Sequence, residues 1–296
     1  MVANTIVAGR DTGIVVGMVL TGFLCDYGFA GGWPSAFYVF GTFGCVWSVA
    51  WFVLCYDSPS THPRISTAEL EYWEREVGSR DLSSRPPTPW RQILTSVPVW
   101  ALVVARFAGA WGYVCILVCL PMYLHDVLGL DISKNGLFSA VPYVSTIVLI
   151  PAYGMLADWL RSPGRLSTTV VRKAFCVVGF TLSGFFLVAT GYIGCDRTLA
   201  MVTLTAAVAG AGMGSSSLFV NQLDLAPLHV GMIIGLASVI SGLAAIASPQ
   251  AVGALTYERS TRDEWQKVFF LAAGIYVVGA VVFLIFGSGQ RQSWAD

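Results

Sequence analysis

Charged residues are scarce in this chain. Asp, Glu, Lys and Arg together make up 11% of its 296 residues, whereas soluble domains contain roughly 25%. The 17 basic and 17 acidic residues balance, so the chain has neither the basic excess of a nucleic-acid-binding protein nor the acidic run of a solvating tail. We therefore expect no nucleic-acid partner, and the composition argues against an ordinary soluble domain.

The chain also lacks the short motifs of common enzymes. It contains no HExxH, no GxSxG and no phosphate-binding loop. Cys115 and Cys119 share a helix face, but no histidine or second cysteine pair completes a set of four metal ligands. We therefore predict that the protein is not an enzyme and that it holds no metal and no cofactor.

A glycine-rich stretch at residues 209–214 does not have the GxGxxG spacing of a dinucleotide-binding loop. It lies within an apolar run rather than after a soluble strand. Small residues in apolar helices allow neighbouring backbones to approach closely. We predict such close helix contacts at Gly210, Gly214, Gly231 and Gly235.

Long apolar runs fill most of the chain, and hydrophobic residues make up 55% of it. A run of about 18 residues crosses a bilayer as a helix. The first of eight such runs, residues 14–25, is too short to cross a bilayer alone. It extends either forward past Asp26 or backward to residues 2–6, which we favour, with Arg10 and Asp11 shielded or paired. The sequence thus predicts an all-α, polytopic membrane protein with about eight transmembrane helices, seven of them at residues 34–56, 97–124, 136–157, 174–194, 198–220, 230–257 and 268–286.

Basic residues outside the runs predict the orientation. Ten lie on the side that holds both termini, and five lie on the other side. Because positively charged loops stay in the cytoplasm, we expect both termini to be cytoplasmic, with residues 287–296 as a cytoplasmic tail.

The longest loop, residues 57–96, contains the signal of a short helix. Ser66 and Glu69 form a capping box, and Leu70, Trp73 and Val77 fall on one helical face. We predict an amphipathic helix against the cytoplasmic face of the membrane. It is either a clasp between two helix bundles or a solvated loop helix.

Arg106 lies ten residues into the run 97–124. A charge within a membrane span costs about 2.5 kcal/mol or more unless it faces protein or water, and it often marks a substrate path. A guanidinium binds carboxylate or phosphate in a forked geometry, which favours an anionic substrate. The alternative is a structural arginine that reaches the cytoplasmic interface.

A second charged cluster lies where the run 136–157 ends and the run 174–194 begins. Acidic and basic side chains at a tight cytoplasmic turn can lock two helices together, and the lock can break when the helices move. We predict that this cytoplasmic gate consists of Asp158, Arg161, Arg172 and Lys173.

Several segments resemble the anion/cation symporter family of the major facilitator superfamily, which includes sialin, the vesicular glutamate transporters and the type I sodium–phosphate cotransporters. The resemblance covers nearly the whole chain. Its segments are 33–41 (WPSAFYVFG), 57–66 (DSPSTHPRIS), 158–161 (DWLR), 167–169 (STT), 221–227 (NQLDLAP), 264–269 (EWQKVF) and 286–289 (FGSG) with Trp294.

The resemblance implies a fold of twelve helices in two six-helix bundles that transports by alternating access. Against that plan, residues 1–56 resemble the last two helices of the N-terminal bundle, residues 57–96 the linker, and residues 97–286 the complete C-terminal bundle. We therefore expect a major facilitator fold that lacks the first four helices.

The resemblance also implies the function, which is secondary active transport of organic or inorganic anions, carboxylates or phosphate, coupled to protons or sodium. By helix position, the substrate-binding residues would be Arg106, Tyr113, Tyr143 and Asn221. Glutamate-transporting members carry an arginine where this chain has Gly109. The expected location is a lysosomal, vesicular or plasma membrane. The alternative is a truncated, non-transporting protein that binds the missing helices or a full-length relative through an exposed bundle face.

Overall fold

The computed structural model describes residues 2–77, 88–127, 129, 132–162, 165–193, 196–257 and 261–295. Within these residues all regular structure is helical, as the sequence predicts. A short 3-10 turn lies at Pro59–Thr61. The α-helices are α1 Val2–Tyr27, α2 Trp33–Leu54, α3 Thr67–Val77, α4 Trp90–Thr95, α5 Val97–Asp126, α6 Ile132–Leu160, α7 Thr168–Tyr192, α8 Arg197–Leu225, α9 Val230–Thr256 and α10 Arg262–Phe286.

Seven helices in the described part of the chain, α2 and α5 to α10, are long and apolar enough to cross a membrane. Helix α1 is not among them, and it carries Arg10, Asp11 and Asp26. Its 26 residues would nevertheless extend about 39 Å. Helix α1 begins at Val2 and includes Arg10 and Asp11, so the helix extends backward as predicted. That it crosses the membrane stays a prediction.

The bundle is built around α5, α7, α8 and α10. Helix α7 packs along α8 and α10, α5 packs along α9 and α10, and α6 packs along α8. Large buried side chains fill the spaces between these helices, among them Phe180 and Tyr276, whose ring centroids lie 4.9 Å apart. This packing holds α5, α6 and α8 in the positions that form the candidate site.

Helix α1 lies antiparallel along α6. Near the start of α6, a Cβ added at Gly136 would lie 2.9 Å from the carbonyl oxygen of Met18. Further along both helices, Thr146 contacts Asp11. The glycine permits a close approach at one end, and the approach brings the charged part of α1 against the middle of α6.

A close helix crossing joins α7 and α8 through glycines. A Cβ added at Gly179 would lie 2.5 Å from the nitrogen of Gly214 and 2.6 Å from the oxygen of Gly210. The predicted close contacts at Gly210 and Gly214 are therefore confirmed. The same prediction is wrong for Gly231 and Gly235, since no atom from another helix of the described residues lies within 4 Å of a Cβ added there. A small residue permits a close contact but does not ensure one.

The predicted short loop helix is present as α3. The backbone N–H of Glu69 donates to Oγ of Ser66 at 3.2 Å, which is half of the capping box. The guanidinium of Arg75 lies 5.9 Å from the ring centre of Tyr72. The clasp role of this helix stays a prediction.

Residues 287–295 fold back onto the bundle end where α7 begins and α8 ends. Asn221 donates from Nδ2 to the oxygen of Ser288 at 2.8 Å. The amide of Gly289 donates to Oγ1 of Thr169 at 3.0 Å, and the amide of Gln292 donates to the oxygen of Leu225 at 3.0 Å. The segment predicted as a tail is thus attached to α7 and α8.

Candidate functional site

A narrow cavity lies where α1, α5, α6 and α8 meet. Its volume is about 30 Å³, which is room for roughly one or two waters. Apolar side chains form much of its wall, and its polar lining comes from all four helices. That polar lining consists of Arg10, Asp11, Tyr113, Tyr143, Thr146 and Ser215.

Asp11 is buried at the wall of this cavity and accepts three contacts. Arg10 approaches its Oδ1 with Nε at 3.1 Å and with a terminal guanidinium nitrogen at 3.0 Å. Thr146 approaches Oδ2 with its hydroxyl at 2.6 Å. That hydroxyl also lies 2.7 Å from the carbonyl oxygen of Tyr143, but its single proton serves one acceptor at a time. Because a carboxylate is the stronger acceptor, the geometry favours donation to Asp11.

The guanidinium of Arg10 has a second contact. It lies over the ring of Tyr113, 4.5 Å from the ring centre, which is a cation–π arrangement. The Arg10 side chain is 52% exposed, whereas that of Asp11 is 2% exposed. The cation therefore spans the boundary between the buried carboxylate and the more open side of α1.

Tyr113 and Tyr143 meet edge to face, with ring centroids 6.2 Å apart. Both phenol hydroxyls are buried, and neither has a hydrogen-bond partner among the described residues. A buried hydroxyl without a partner costs about 1–3 kcal/mol. Both tyrosines line the cavity, so two buried donors without partners lie at its wall, where they would suit an acceptor such as an anion that reaches them.

Arg106 lies seven residues before Tyr113, which places both on one face of α5. Its Nε is buried and has no partner among the described residues. Arg106 and Arg10 are close enough for their charges to repel each other. Arg106 does not itself line the 30 Å³ cavity. It lies two turns before Tyr113, about 10 Å along α5.

The structure does not bring Asn221 to this cavity. Asn221 is fully buried near the end of α8, where its side chain donates to Ser288. Of the four predicted substrate-binding residues, Tyr113 and Tyr143 lie together and Arg106 lies beside them. Asn221 instead contacts the C-terminal segment, and its substrate-binding role stays a prediction.

The predicted gate residues lie at the turn between α6 and α7, but the close ion pair there has a different partner. Arg172 donates from Nε to Oδ2 of Asp224 at 2.7 Å. Arg161 has a buried Nε without a hydrogen-bond partner in the described chain. Asp158 is exposed and Lys173 is half-buried. The pair therefore joins α7 to α8, and Asp224 lies beyond the end of the predicted span 198–220 but within α8.

Sequence reasoning also missed how Arg10 and Asp11 take part in the site. Two adjacent charges within an otherwise apolar run signalled that they needed shielding. The spacing of the sequence gave no sign of Thr146, the partner that lies 135 residues away from Asp11.

Comparison with known proteins gives matches over nearly the whole chain. The model of the Major Facilitator Superfamily matches residues 4–249. The chain is 44% identical over 292 residues to the "Uncharacterized transporter slc-17.2" of Caenorhabditis elegans, which covers 97% of this chain and 59% of that protein.

Two further relatives carry more specific names. Vesicular glutamate transporter 3 of Danio rerio is 39% identical over 298 residues, which covers 99% of this chain and 50% of that protein. A putative inorganic phosphate cotransporter of Drosophila ananassae is 38% identical over 289 residues, which covers 97% of this chain and 60% of that protein. The chain thus spans between half and three-fifths of the length of these relatives.

Proposed function

Because the chain belongs to the major facilitator superfamily, we propose that it acts in the secondary active transport of small organic or inorganic anions, carboxylates or phosphate. Relatives named for glutamate and for phosphate support this substrate class. The proposed mechanism is alternating access, in which bundles of helices move about a central site.

The observation that carries the proposal is the grouping of anion-binding groups inside an apolar bundle. The guanidiniums of Arg10 and Arg106 lie within electrostatic range of each other, and the hydroxyls of Tyr113 and Tyr143 are buried without partners. Charge in a membrane span is costly unless function or pairing offsets it. Guanidinium and phenol donors are suited to carboxylate and phosphate oxygens.

We assign the cytoplasmic gate to Asp158, Arg161, Arg172 and Lys173, with Asp224 as the partner of Arg172. In an alternating-access cycle, a charged contact at one end of a bundle closes that end until the helices move. The 2.7 Å contact between Arg172 and Asp224 supports a role at the end where α7 begins and α8 ends.

The energy source that we propose is a proton or sodium gradient. We further propose that both termini are cytoplasmic, and that the protein resides in a lysosomal, vesicular or plasma membrane. The excess of basic residues in the loops on the side of the termini supports this orientation.

Uptake into proteoliposomes tests the function. Radiolabelled glutamate and phosphate are offered with an imposed proton or sodium gradient. The tested forms are the chain itself and a chimera in which the part of the C. elegans relative that precedes the match is fused to Val2. Gradient-dependent uptake of either anion is the expected result. No uptake of any anion by either form, at verified insertion, would contradict the proposal.

Arg106→Gln sharpens this test. Removal of a charged donor to the anion is expected to lower uptake per inserted molecule about tenfold or more. The matched control is Arg91→Gln, which makes the same change at an exposed position at the start of α4. Equal uptake by Arg106→Gln and the wild type would remove Arg106 from the substrate path.

A second candidate function is favoured by α2. None of the apolar window of this helix is buried, and its exposed side chains include Phe43, Trp47 and Phe52. A non-transporting protein that binds a helical membrane partner through α2 would present such a surface. The chain would then show no uptake but would form a defined complex in micelles, measured by light scattering with size-exclusion chromatography.

A further inference from the structure

Asp11 is the one acidic residue that lines the small cavity between α1, α5, α6 and α8 among the described residues. Its side chain is 2% exposed, and each of its three contacts comes from a donor: two from the guanidinium of Arg10 and one from the hydroxyl of Thr146. An acceptor surrounded only by donors fits the carboxylate form. The cavity therefore already contains one built-in anion.

The position of this carboxylate resembles the one that a bound carboxylate would take. A guanidinium and a hydroxyl are a common donor pair for an anion. Here the guanidinium of Arg10 contacts Oδ1 of Asp11 and the hydroxyl of Thr146 contacts Oδ2. Two of the five guanidinium N–H groups of Arg10 face Asp11, while its flat face covers Tyr113. The remaining N–H groups are directed away from Asp11.

The charges around the cavity can be counted. Arg10 lies over the ring of Tyr113 and contacts Asp11, and Arg106 lies within electrostatic range of Arg10. Arg10 and Arg106 contribute two positive charges, and Asp11 contributes one negative charge. This part of the site thus carries one net positive charge, and it would carry two if Asp11 were neutral.

We propose that Asp11 determines the charge of the anion that the site accepts, because it cancels one of the two guanidinium charges and so favours a monoanion over a dianion. This inference rests on the proposed function, since it assumes that the cavity borders the anion site. It assigns Asp11 a role in specificity, whereas Arg106 and the tyrosines supply attraction. The charge of Asp11 repels the second negative charge of a dianion. Without the charge of Asp11, Arg10 would attract that second charge.

The test compares two ligands of equal length and different charge. Succinate is a dianion near neutral pH, and succinamate, its monoamide, is a monoanion. Apparent Kd values for both are obtained at pH 7.4 from the ligand-dependent rise in Tm of the purified full chain in detergent micelles. The preference is the ratio of the two Kd values, so that a general change in stability cancels.

Asp11→Asn is expected to shift this ratio at least about tenfold toward succinate, because one charge is removed at short range in a poorly solvated site. The amide is isosteric and still accepts from Thr146. Asp26→Asn makes the same substitution at an exposed position on α1, about 22 Å along the helix, and is expected to leave the ratio unchanged. Asp11→Glu keeps the charge and is expected to keep the preference for the monoanion.

Arg10→Gln gives a second and opposite test if Asp11→Asn fails to fold. It removes a positive charge, so the ratio is expected to move toward succinamate. An unchanged ratio in either folded variant would overturn the proposal. A shifted ratio in a protein that transports neither anion would support the role of Asp11 and contradict the transport function, whereas a wild type that binds neither ligand would overturn both.

Discussion

The carboxylate of Asp224 accepts a hydrogen bond of 2.7 Å from Nε of Arg172, so the end of α8 is tied to the start of α7. The side chain of Arg172 is 4% exposed and that of Asp224 is 17% exposed. The hydroxyl of Ser217 also donates to the carbonyl oxygen of Arg172 at 3.0 Å. A buried cation is costly unless it is paired, so Arg172 depends on Asp224 for its place.

Asp224→Asn removes the charge opposite Arg172. We expect the free energy of unfolding to fall by about 3 kcal/mol, because a buried guanidinium is left without its counter-charge. Equilibrium unfolding in mixed micelles measures this change. The control is Asp158→Asn, at an exposed carboxylate of the predicted gate, where a loss of at most about 1 kcal/mol is expected.

The double variant Arg172→Gln with Asp224→Asn completes the test of this pair. Because neither partner then carries a buried charge, we expect it to recover part of the stability that the single change loses. If Asp224→Asn unfolds like the wild type, the pair contributes nothing to the bundle and has no value as a lock.

The sequence predicted the helices well and their charged ends less well. Hydropathy placed the start of the fifth span at residue 174, but α7 begins at Thr168. The difference arises because two adjacent charges, Arg172 and Lys173, indicated the boundary of the membrane segment. The partner that allows Arg172 to be buried lies 52 residues later in the chain. An interaction at that distance leaves no local pattern in the sequence.

At the candidate site too, the sequence predicted helix positions but not the contacts between distant residues. Tyr113 and Tyr143 were selected by helix position, and their rings meet in the structure. Asn221 was selected in the same way, yet it contacts Ser288. Helix position gives the face on which a residue lies, but not which neighbouring segment covers it. The contact between Asp11 and Thr146 required the α1–α6 packing, which the sequence does not encode locally.

Gly179→Ala tests the close crossing of α7 and α8. The added Cβ would lie 2.5 Å from the nitrogen of Gly214, so α7 and α8 must separate. We expect a loss of about 2 kcal/mol in the free energy of unfolding. Gly235→Ala is the matched control, because a Cβ there meets no atom from another helix of the described residues within 4 Å and alanine favours the helix by about 1 kcal/mol. Equal stability of the two variants would contradict a close α7–α8 contact.

Asn221→Ala tests the attachment of the C-terminal segment. The change removes the 2.8 Å hydrogen bond to Ser288, so we expect residues 287–295 to open more often while α7 and α8 keep their packing. The amides of Gly289 and Gln292 report on the opening, because they donate to Thr169 and Leu225 in the closed segment. Hydrogen exchange measured by mass spectrometry is expected to accelerate about fivefold in this segment, which corresponds to about 1 kcal/mol.

The control for this change is Ser293→Ala, at an exposed position of the same segment, where exchange should match the wild type. If Asn221→Ala leaves exchange in residues 287–295 unchanged but lowers anion uptake, the hydrogen bond to Ser288 is not what holds the segment. The side chain would then belong to the transport path, as its position on α8 first indicated. Faster exchange with normal uptake would assign Asn221 to attachment of the segment alone.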